Sequence, residues 1–579
     1  MENEPFDKED AITADGEPRE SLDDKPYLPE KDTQDSPQDD EDGSRHDVPN
    51  NADSGKPEEG EETEEGGYIS GYKLFVVWAP LSLVAFLMLL DISIVATAIP
   101  RITSDFHSLA DVGWYGSAYL LANCSLQPLA GRLYTHFHSK WIFLSFFALF
   151  EFGSLLCAVS TSSKMLIIAR AIAGMGGAGL VNGALTIVSC SVPLHKRPAY
   201  LGALMGVAQM GVVIGPLIGG AFTEYTTWRW CFYINLPIGG VAALLLVWVR
   251  IPDNVKPREI SILQTIWTKL DLIGFALFAP STIQLLLALE YGGNKYAWNS
   301  ATVIGLFCGA GGTFIVFLIW EYARGDDAMV PLSMMKQRGV WSSCLVSFFF
   351  FSMLQLVIYY LPIYFQAIKG ASPMISGVDL LPSILSQLIG TLFSGITVTK
   401  MGYYLPFCVA AAIFASIGHG LISTLSPSSS IGKWIGYQVI IGFGRGLGLQ
   451  MPFVAVQNTL PASMVSISMS LLTFMQTLGG AIMLTCGETI FTNSLRDTIP
   501  TYEGVNPEAI ILAGATGIRA IITDPTQLAG VLIAYSKSVD RVFYLAIGCS
   551  CACFLFSWGM GWKDIRKKPK AEVSQNENV

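Results

Sequence analysis

The sequence predicts an all-α membrane protein of fourteen spans, in which two six-helix halves flank two extra central spans. Three observations lead there. The 579 residues are 51% hydrophobic and only 14% charged, with mean hydropathy +0.45, whereas a soluble chain carries about 25% charge. Apolar runs recur from Leu74 almost to the end, and about 20 such residues cross a bilayer. A stretch of the fourth run also reappears in the twelfth.

Residues 1–66 hold 25 of the 47 Asp and Glu and six of the 36 Lys and Arg, a net −19, which leaves 30 basic against 22 acidic residues, or +8, for the remainder. The segment 1–70 has too few apolar residues to offset its ordering entropy and is expected to be a disordered cytosolic tail. It lacks the charged-then-apolar start of a signal peptide. The N-terminal half, 71–250, has spans near 74–100, 112–133, 141–161, 165–190, 200–222 and 230–249. A linker, 251–338, carries two more, near 272–290 and 301–320. The C-terminal half, 339–562, has spans near 341–362, 378–398, 403–424, 432–456, 464–490 and 543–561, and 563–579 forms a basic cytosolic tail. With both tails cytosolic, inner segments hold 18 Lys and Arg against 10 in outer loops, the asymmetry expected of cytoplasmic loops.

The repeat supports the two halves. "RAIAGMGGAGLVNGALTIVSCSVP" from Arg170 lies without gaps on "QVIIGFGRGLGLQMPFVAVQNTLP" from Gln438, pairing Gly174 with Gly442, Gly176 with Gly444 and Asn182 with Gln450. "GRLYTHFHSKWIF" from Gly131 aligns with "GITVTKMGYYLPF" from Gly395. Paired halves with a midplane site between them are a transporter plan.

In "GVVIGPLIGG", Gly211 to Gly220, glycines and a proline crowd an apolar helix. Each interior glycine costs about 1 kcal/mol against alanine and an interior proline about 3. Ala208, Gly211, Gly215 and Gly219 fall on one narrow face without bulk, the kind that brings membrane helices into close contact. Pro216 frees a carbonyl that a neighbour or a local distortion must satisfy. The stripe is either ordinary tight packing or a gating element, where span 5 rocks against a partner or seals a leak between the halves. Gly220 sits just off it.

Asp91 in "MLLDISIVATAIP" and Arg170 in "LIIARAIAGMG" are isolated charges within spans, functional candidates by default. Counted at 1.5 Å per residue, their depths differ by roughly 5 Å. They can pair, directly or through water, and a static structural ion pair is the plain alternative. Arg445 has no acidic partner at its depth. Gln127, Asn182, Gln209, Gln355, Arg445, Gln450 and Gln476 are candidates for lining a substrate cavity, although such amides more often join helices. Glu151 interrupts an aromatic span and is a weaker candidate.

All eleven cysteines lie in or beside apolar runs, which is neither a disulfide framework nor a metal pattern. There is no GxxxxGK[ST] loop and no HExxH. No metal, bound cofactor, nucleic-acid partner or enzymatic activity is expected.

"LDISIVATAIP" (Leu90 to Pro100), "RAIAGMGGAG" from Arg170, "GVVIGPLIGG" and "WRWCFYINLPIGG" (Trp228 to Gly240) resemble the major facilitator superfamily. Within it they are similar to the fourteen-span drug:proton antiporters, close to fungal toxin and multidrug efflux pumps. The likeness covers about residues 70–565. It implies the major facilitator fold and proton-coupled efflux of hydrophobic or amphipathic small molecules by alternating access. It also implies proton coupling through Asp91 and Arg170, and an antiporter motif of Gly211, Gly215, Pro216, Gly219 and Gly220. The chain is expected to be a monomer with cytosolic termini, at the plasma membrane ahead of the vacuolar membrane. One motif departs from the family. The loop after span 2 reads "GRLYTHFHSK", with Gly131, Leu133 and Lys140 standing but Thr135 in the acidic position and His138 in place of the second glycine. The usual cytoplasmic latch is therefore in question.

The first rival is a proton symporter importing siderophore–iron or another nutrient, against which the span 5 motif argues. A transport-dead nutrient receptor is the second, and the short basic tail lacks the long cytosolic extension such proteins carry.

Overall fold

The structure, a computed structural model, describes Tyr68, Ile69 and residues 71–567 apart from 109–110, 250, 252–260, 294 and 500–505. The tails expected over 1–70 and 563–579 lie almost wholly outside the described residues. The long helices are α1 (Gly71–Phe106), α2 (Val112–His136), α3 (Ser139–Ala158), α4 (Ser163–Ser191), α5 (Arg197–Tyr225) and α6 (Trp230–Trp248). Two follow as α7 (Leu272–Tyr291) and α8 (Ala301–Arg324). The rest are α9 (Arg338–Ile363), α10 (Leu381–Met401), α11 (Leu405–Ile422), α12 (Ile431–Gly448), α13 (Val465–Thr498) and α14 (Pro525–Ser557). No strand occurs among the described residues.

Local chemistry sets the ends. Ser162 accepts from Met165 N to start α4, Ser300 from Val303 N to start α8, and Asp524 from Thr526 N to start α14. Gly402, at φ 84°, stops α10 in the left-handed region. Lys140, at the start of α3, donates to Val247 O and Val249 O at 2.7 Å and so caps the end of α6.

Thirteen helices among the described residues are long and apolar enough to cross a membrane. The fourteenth expected span, α2, is 25 residues long but carries the buried polar residues Asn123, Gln127 and Arg132. It packs against α4, α7 and α13 rather than facing outward. The pair α7–α8 stands at the edge, with Ile304, Phe314, Ile315, Leu318 and Ile319 of α8 exposed, an apolar surface suited to lipid.

The two halves repeat each other's packing. In the first, α1 packs on α5, α4 on α2 and α3, and α6 on α1; in the second, α9 packs on α13, α12 on α10 and α11, and α14 on α9. The joints between halves are likewise related, α13 on α2 and α5 on α10. The repeated glycines explain why. A side chain at Gly174 would strike the backbone of Tyr119, and one at Gly442 that of Ser383. Gly176 sits against Phe150, and Gly444 against Phe414 and Ala415. Gly131 lies on Ser470 and Ile467 of α13, while its repeat partner Gly395 lies on Pro198 and Ala199 of α5. Small residues thus mark the same close crossings twice, as membrane helix packing requires.

The face where α1 begins is termed the near face. Contacts between halves are dense there: the two glycine crossings just named, and Arg197 donating from Nη1 to Gln457 Oε1 at 3.1 Å. The halves are closed against each other on this side.

Candidate functional site

Asp91 and Arg170 meet. Arg170 Nη1 donates to Asp91 Oδ2 at 2.5 Å, and both side chains are within 2% of complete burial. The guanidinium Nε donates to Tyr115 O at 2.9 Å, and its carbon lies 4.6 Å from the Tyr119 ring centre. The second carboxylate oxygen accepts from Asn235 Nδ2 at 3.2 Å, and that amide also reaches Ser154 Oγ at 3.2 Å. The carboxylate on α1 therefore accepts from α4 and α6, α3 backs the amide through Ser154, and α2 covers the arginine. Burying two charges costs several kcal/mol each unless both are paired and hydrogen-bonded, and here both are.

Sequence reasoning missed Asn235, Ser154 and the tyrosines. An amide alone in the apolar stretch "YINLPIGG" was the available signal for Asn235. Glu151 is the weaker candidate of the sequence. This carboxylate lies on α3 against Gly239 of α6, within electrostatic reach of Asp91, and neither oxygen has a hydrogen-bond partner among the described residues.

The glycine stripe faces α1. A side chain at Gly211 would stand 2.5 Å from Phe86 O and 2.8 Å from Leu90 N. One at Gly215 would stand 2.8 Å from Ser93 Cβ, and one at Gly219 2.9 Å from Ile94 O. Gly220 has nothing within 4 Å. Of the roles open from sequence, tight packing, rocking against a partner or sealing the halves, the structure bears on the neighbour alone: it is α1 of the same half, and α5 meets α10 through a different face that includes Gly202 and Gly206. The contacts at Leu90 and Ser93 bracket Asp91, so the seam sets where α1 holds its carboxylate.

Pro216 completes that seam. It has no N–H for the carbonyl four residues earlier, that of Val212, and Ser93 Oγ donates to Val212 O at 2.8 Å. A neighbouring helix thus satisfies the freed acceptor, one of the two solutions open from sequence. Ser93→Ala is expected to destabilise the protein by about 1–3 kcal/mol by orphaning this carbonyl. Adding Pro216→Ala, which restores the intrahelical bond, should remove most of that loss. Thermal unfolding of the two single variants and the double variant in detergent measures the coupling, and strictly additive losses would refute it.

The remaining candidates divide. Gln127 donates to Asn123 Oδ1 at 2.8 Å and to Thr477 Oγ1 at 3.4 Å, linking α2 to α13 across the halves. Gln450, just past α12, donates to Thr391 O at 3.2 Å and Ser394 Oγ at 3.1 Å and so joins its helix to α10. Asn182 is fully buried, and neither amide atom is bonded among the described residues. Arg445 donates from Nη2 to Ser383 Oγ at 2.5 Å, while its Nε and Nη1 have no partner among the described residues. Gln355 and Gln476 are half-buried on α9 and α13. Gln209 lines an apolar groove between α5 and α10 with Met210, Val213, Ile214, Leu385 and Leu388. No His, Cys, Asp and Glu cluster able to hold a metal occurs among the described residues.

The family model of the Major Facilitator Superfamily matches residues 81–484. The MFS-type transporter pigP of Monascus ruber is 58% identical over 519 residues, covering 89% of this chain and 91% of that protein. The efflux pump mlcE of Penicillium citrinum is 50% identical, covering 86% and 92%. The efflux pump aflT of Aspergillus parasiticus is 41% identical, covering 88% and 99%. Among solved structures, the proton:xylose symporter XylE superposes with a TM-score of 0.53 at 14% identity, over 87% of this chain and 99% of that one. That last likeness concerns the fold alone.

Proposed function

We propose that this chain, which belongs to the major facilitator superfamily, is a proton-driven exporter of hydrophobic or amphipathic small molecules such as a toxin, secondary metabolite or drug. The observation that carries the reading is Asp91, a fully buried carboxylate held by Arg170 and Asn235 beside the α1–α5 glycine seam. Relatives named as efflux pumps, matching over nearly their whole length, support the direction.

In this reading the coupling runs through the buried ion pair. The ion pair lasts only while Asp91 carries its charge. A proton reaching Asp91 cancels the attraction to Arg170, freeing α1 and α4 to adjust within the half; re-forming the pair expels the proton. The ionised, paired form accompanies the conformation whose near face is closed. That face is taken as cytosolic, in line with the excess of Lys and Arg on it, and the membrane as the plasma membrane. Glu151 is a second carboxylate through which the proton can pass. The apolar groove beside Gln209 suits substrates with few fixed polar contacts, and the Nε and Nη1 of Arg445 suit a substrate acceptor group.

Flux direction tests the reading. Inside-out vesicles carrying the protein, given an acid interior, are expected to accumulate lipophilic dyes or the host's own metabolites, and to stop when the gradient is collapsed. Uptake into intact cells, driven by an acid exterior, is the outcome that would instead establish the nutrient symporter.

A further inference from the structure

At the near end of α2, the Thr135 hydroxyl bonds to Gly131 O, one turn back on its own helix, at 2.9 Å. Arg132, buried to 5% exposure, reaches beyond the helix. Its Nε donates to Met329 O at 3.2 Å and its Nη2 to Asp326 O at 3.3 Å. Both carbonyls belong to the short segment joining α8 to α9.

That segment is itself tightly held. Met329 N donates to Asp271 Oδ2 at 2.9 Å and to Glu321 Oε1 at 3.1 Å, and Val330 N to Glu321 Oε2 at 3.0 Å. Asp271 also accepts from Trp320 Nε1 at 2.8 Å and caps α7 through Gly274 N. Ser333 N donates to Asp326 Oδ1 at 2.9 Å. Ala328 and Met329 are fully buried. Asp271, Glu321, Asp326 and Asp327 all lie within electrostatic reach of the Arg132 guanidinium, which gives the socket the sign that a cation needs.

We propose that Arg132 is a positioning residue for transport: it latches the near face closed by tying α2 of the first half to the segment that leads directly into α9 of the second. Gly131, its neighbour in sequence, is the point where α2 lies on Ser470 and Ile467 of α13. The latch thus sits beside the crossing that must part when the near face opens. Charge-assisted hydrogen bonds hold more strongly than neutral ones, and two of them converge on one buried side chain here. The inserted pair α7–α8 then has a role in transport, because it presents the socket. The role of closing the face rests on the alternating-access reading above, but its test needs neither substrate nor gradient, so the two can fail separately.

The test places a cysteine at Ser470, which is completely buried in the closed face. Its modification by a membrane-impermeant maleimide is followed from the near face in inside-out vesicles, with the parent chain's own cysteines as background. Arg132→Gln, which removes the charge and the paired donors, is expected to raise the labelling rate about tenfold or more. Arg132→Lys should fall between, because an ammonium keeps the charge without the planar fork. Glu321→Gln, which loosens the socket while leaving Arg132 in place, should raise it severalfold. Labelling at the parent rate in a properly folded Arg132→Gln protein would overturn the proposal. Should that variant fail to accumulate, parent-rate labelling in both Arg132→Lys and Glu321→Gln would overturn it equally.

Discussion

Asp91→Asn is expected to abolish gradient-driven export while leaving substrate exchange across the membrane measurable. The amide matches the carboxylate in shape but never ionises, so the carrier is fixed in the form that a bound proton would otherwise produce only transiently. The structure also fixes a cost. Arg170 Nη1 donates to Asp91 Oδ2 at 2.5 Å, and the substitution leaves a buried guanidinium facing a neutral partner. Removing one member of a buried ion pair costs about 3–5 kcal/mol, so the variant should accumulate to a lower level and unfold earlier. Two assays at matched protein amounts separate lost stability from lost coupling. Accumulation driven by a pH gradient should fall at least about a hundredfold, as with other groups on which a step wholly depends. Counterflow of labelled against unlabelled substrate, which requires no net proton movement, should stay within about threefold of the parent. Both activities falling together would show a structural ion pair. Full gradient-driven accumulation in the Asn variant would remove Asp91 from the proton pathway.

Different physical information made different parts of this site legible. The Asp91–Arg170 pair was within reach of counting, because helix rise converts sequence position into depth and a membrane leaves few ways to satisfy a buried charge. The duplication was legible from glycine spacing, and the structure shows Gly131 and Gly395 making related crossings in the two halves. The partner of the stripe on α5 was not. Periodicity names a helix face but not the helix opposite it, which depends on how the whole bundle assembles, and so nothing in the sequence singles out Ser93 beside Asp91. Asn235 is hidden by its ordinariness, since an amide in an apolar helix more often joins helices than serves a charge. In sequence Arg132 is one more basic residue at a membrane edge, because its partners are main-chain carbonyls, which have no sequence signature.

Gly215→Leu is expected to cripple export, though less completely than loss of the carboxylate, without touching any charged group. At Gly215 even a first side-chain carbon would stand 2.8 Å from Ser93 Cβ and 3.1 Å from Ile94 N. Those are not the ends of flexible side chains, so α1 itself must move away from α5. Overpacking of this kind typically costs 1–3 kcal/mol. That range matches the gap of a few kcal/mol between the states of a two-state carrier, so the change can empty one state while the protein still folds. The displaced segment of α1 holds Ser93, whose bond to Val212 O closes the gap left by Pro216. Two residues before Ser93 stands Asp91, bonded to Arg170 and Asn235. Gradient-driven export should fall about tenfold or more, and counterflow should fall with it, because the seam positions α1 in both states. Pro216→Ala adds no bulk at the contact and should lie between Gly215→Leu and the parent. Gly220→Ala is the control: with nothing within 4 Å of that position, it should transport at the parent rate. Export and passive proton leak are compared for all three at equal surface expression. Parent-level export by Gly215→Leu would mean that α1 and α5 separate freely, and the seam would then have no part in holding Asp91.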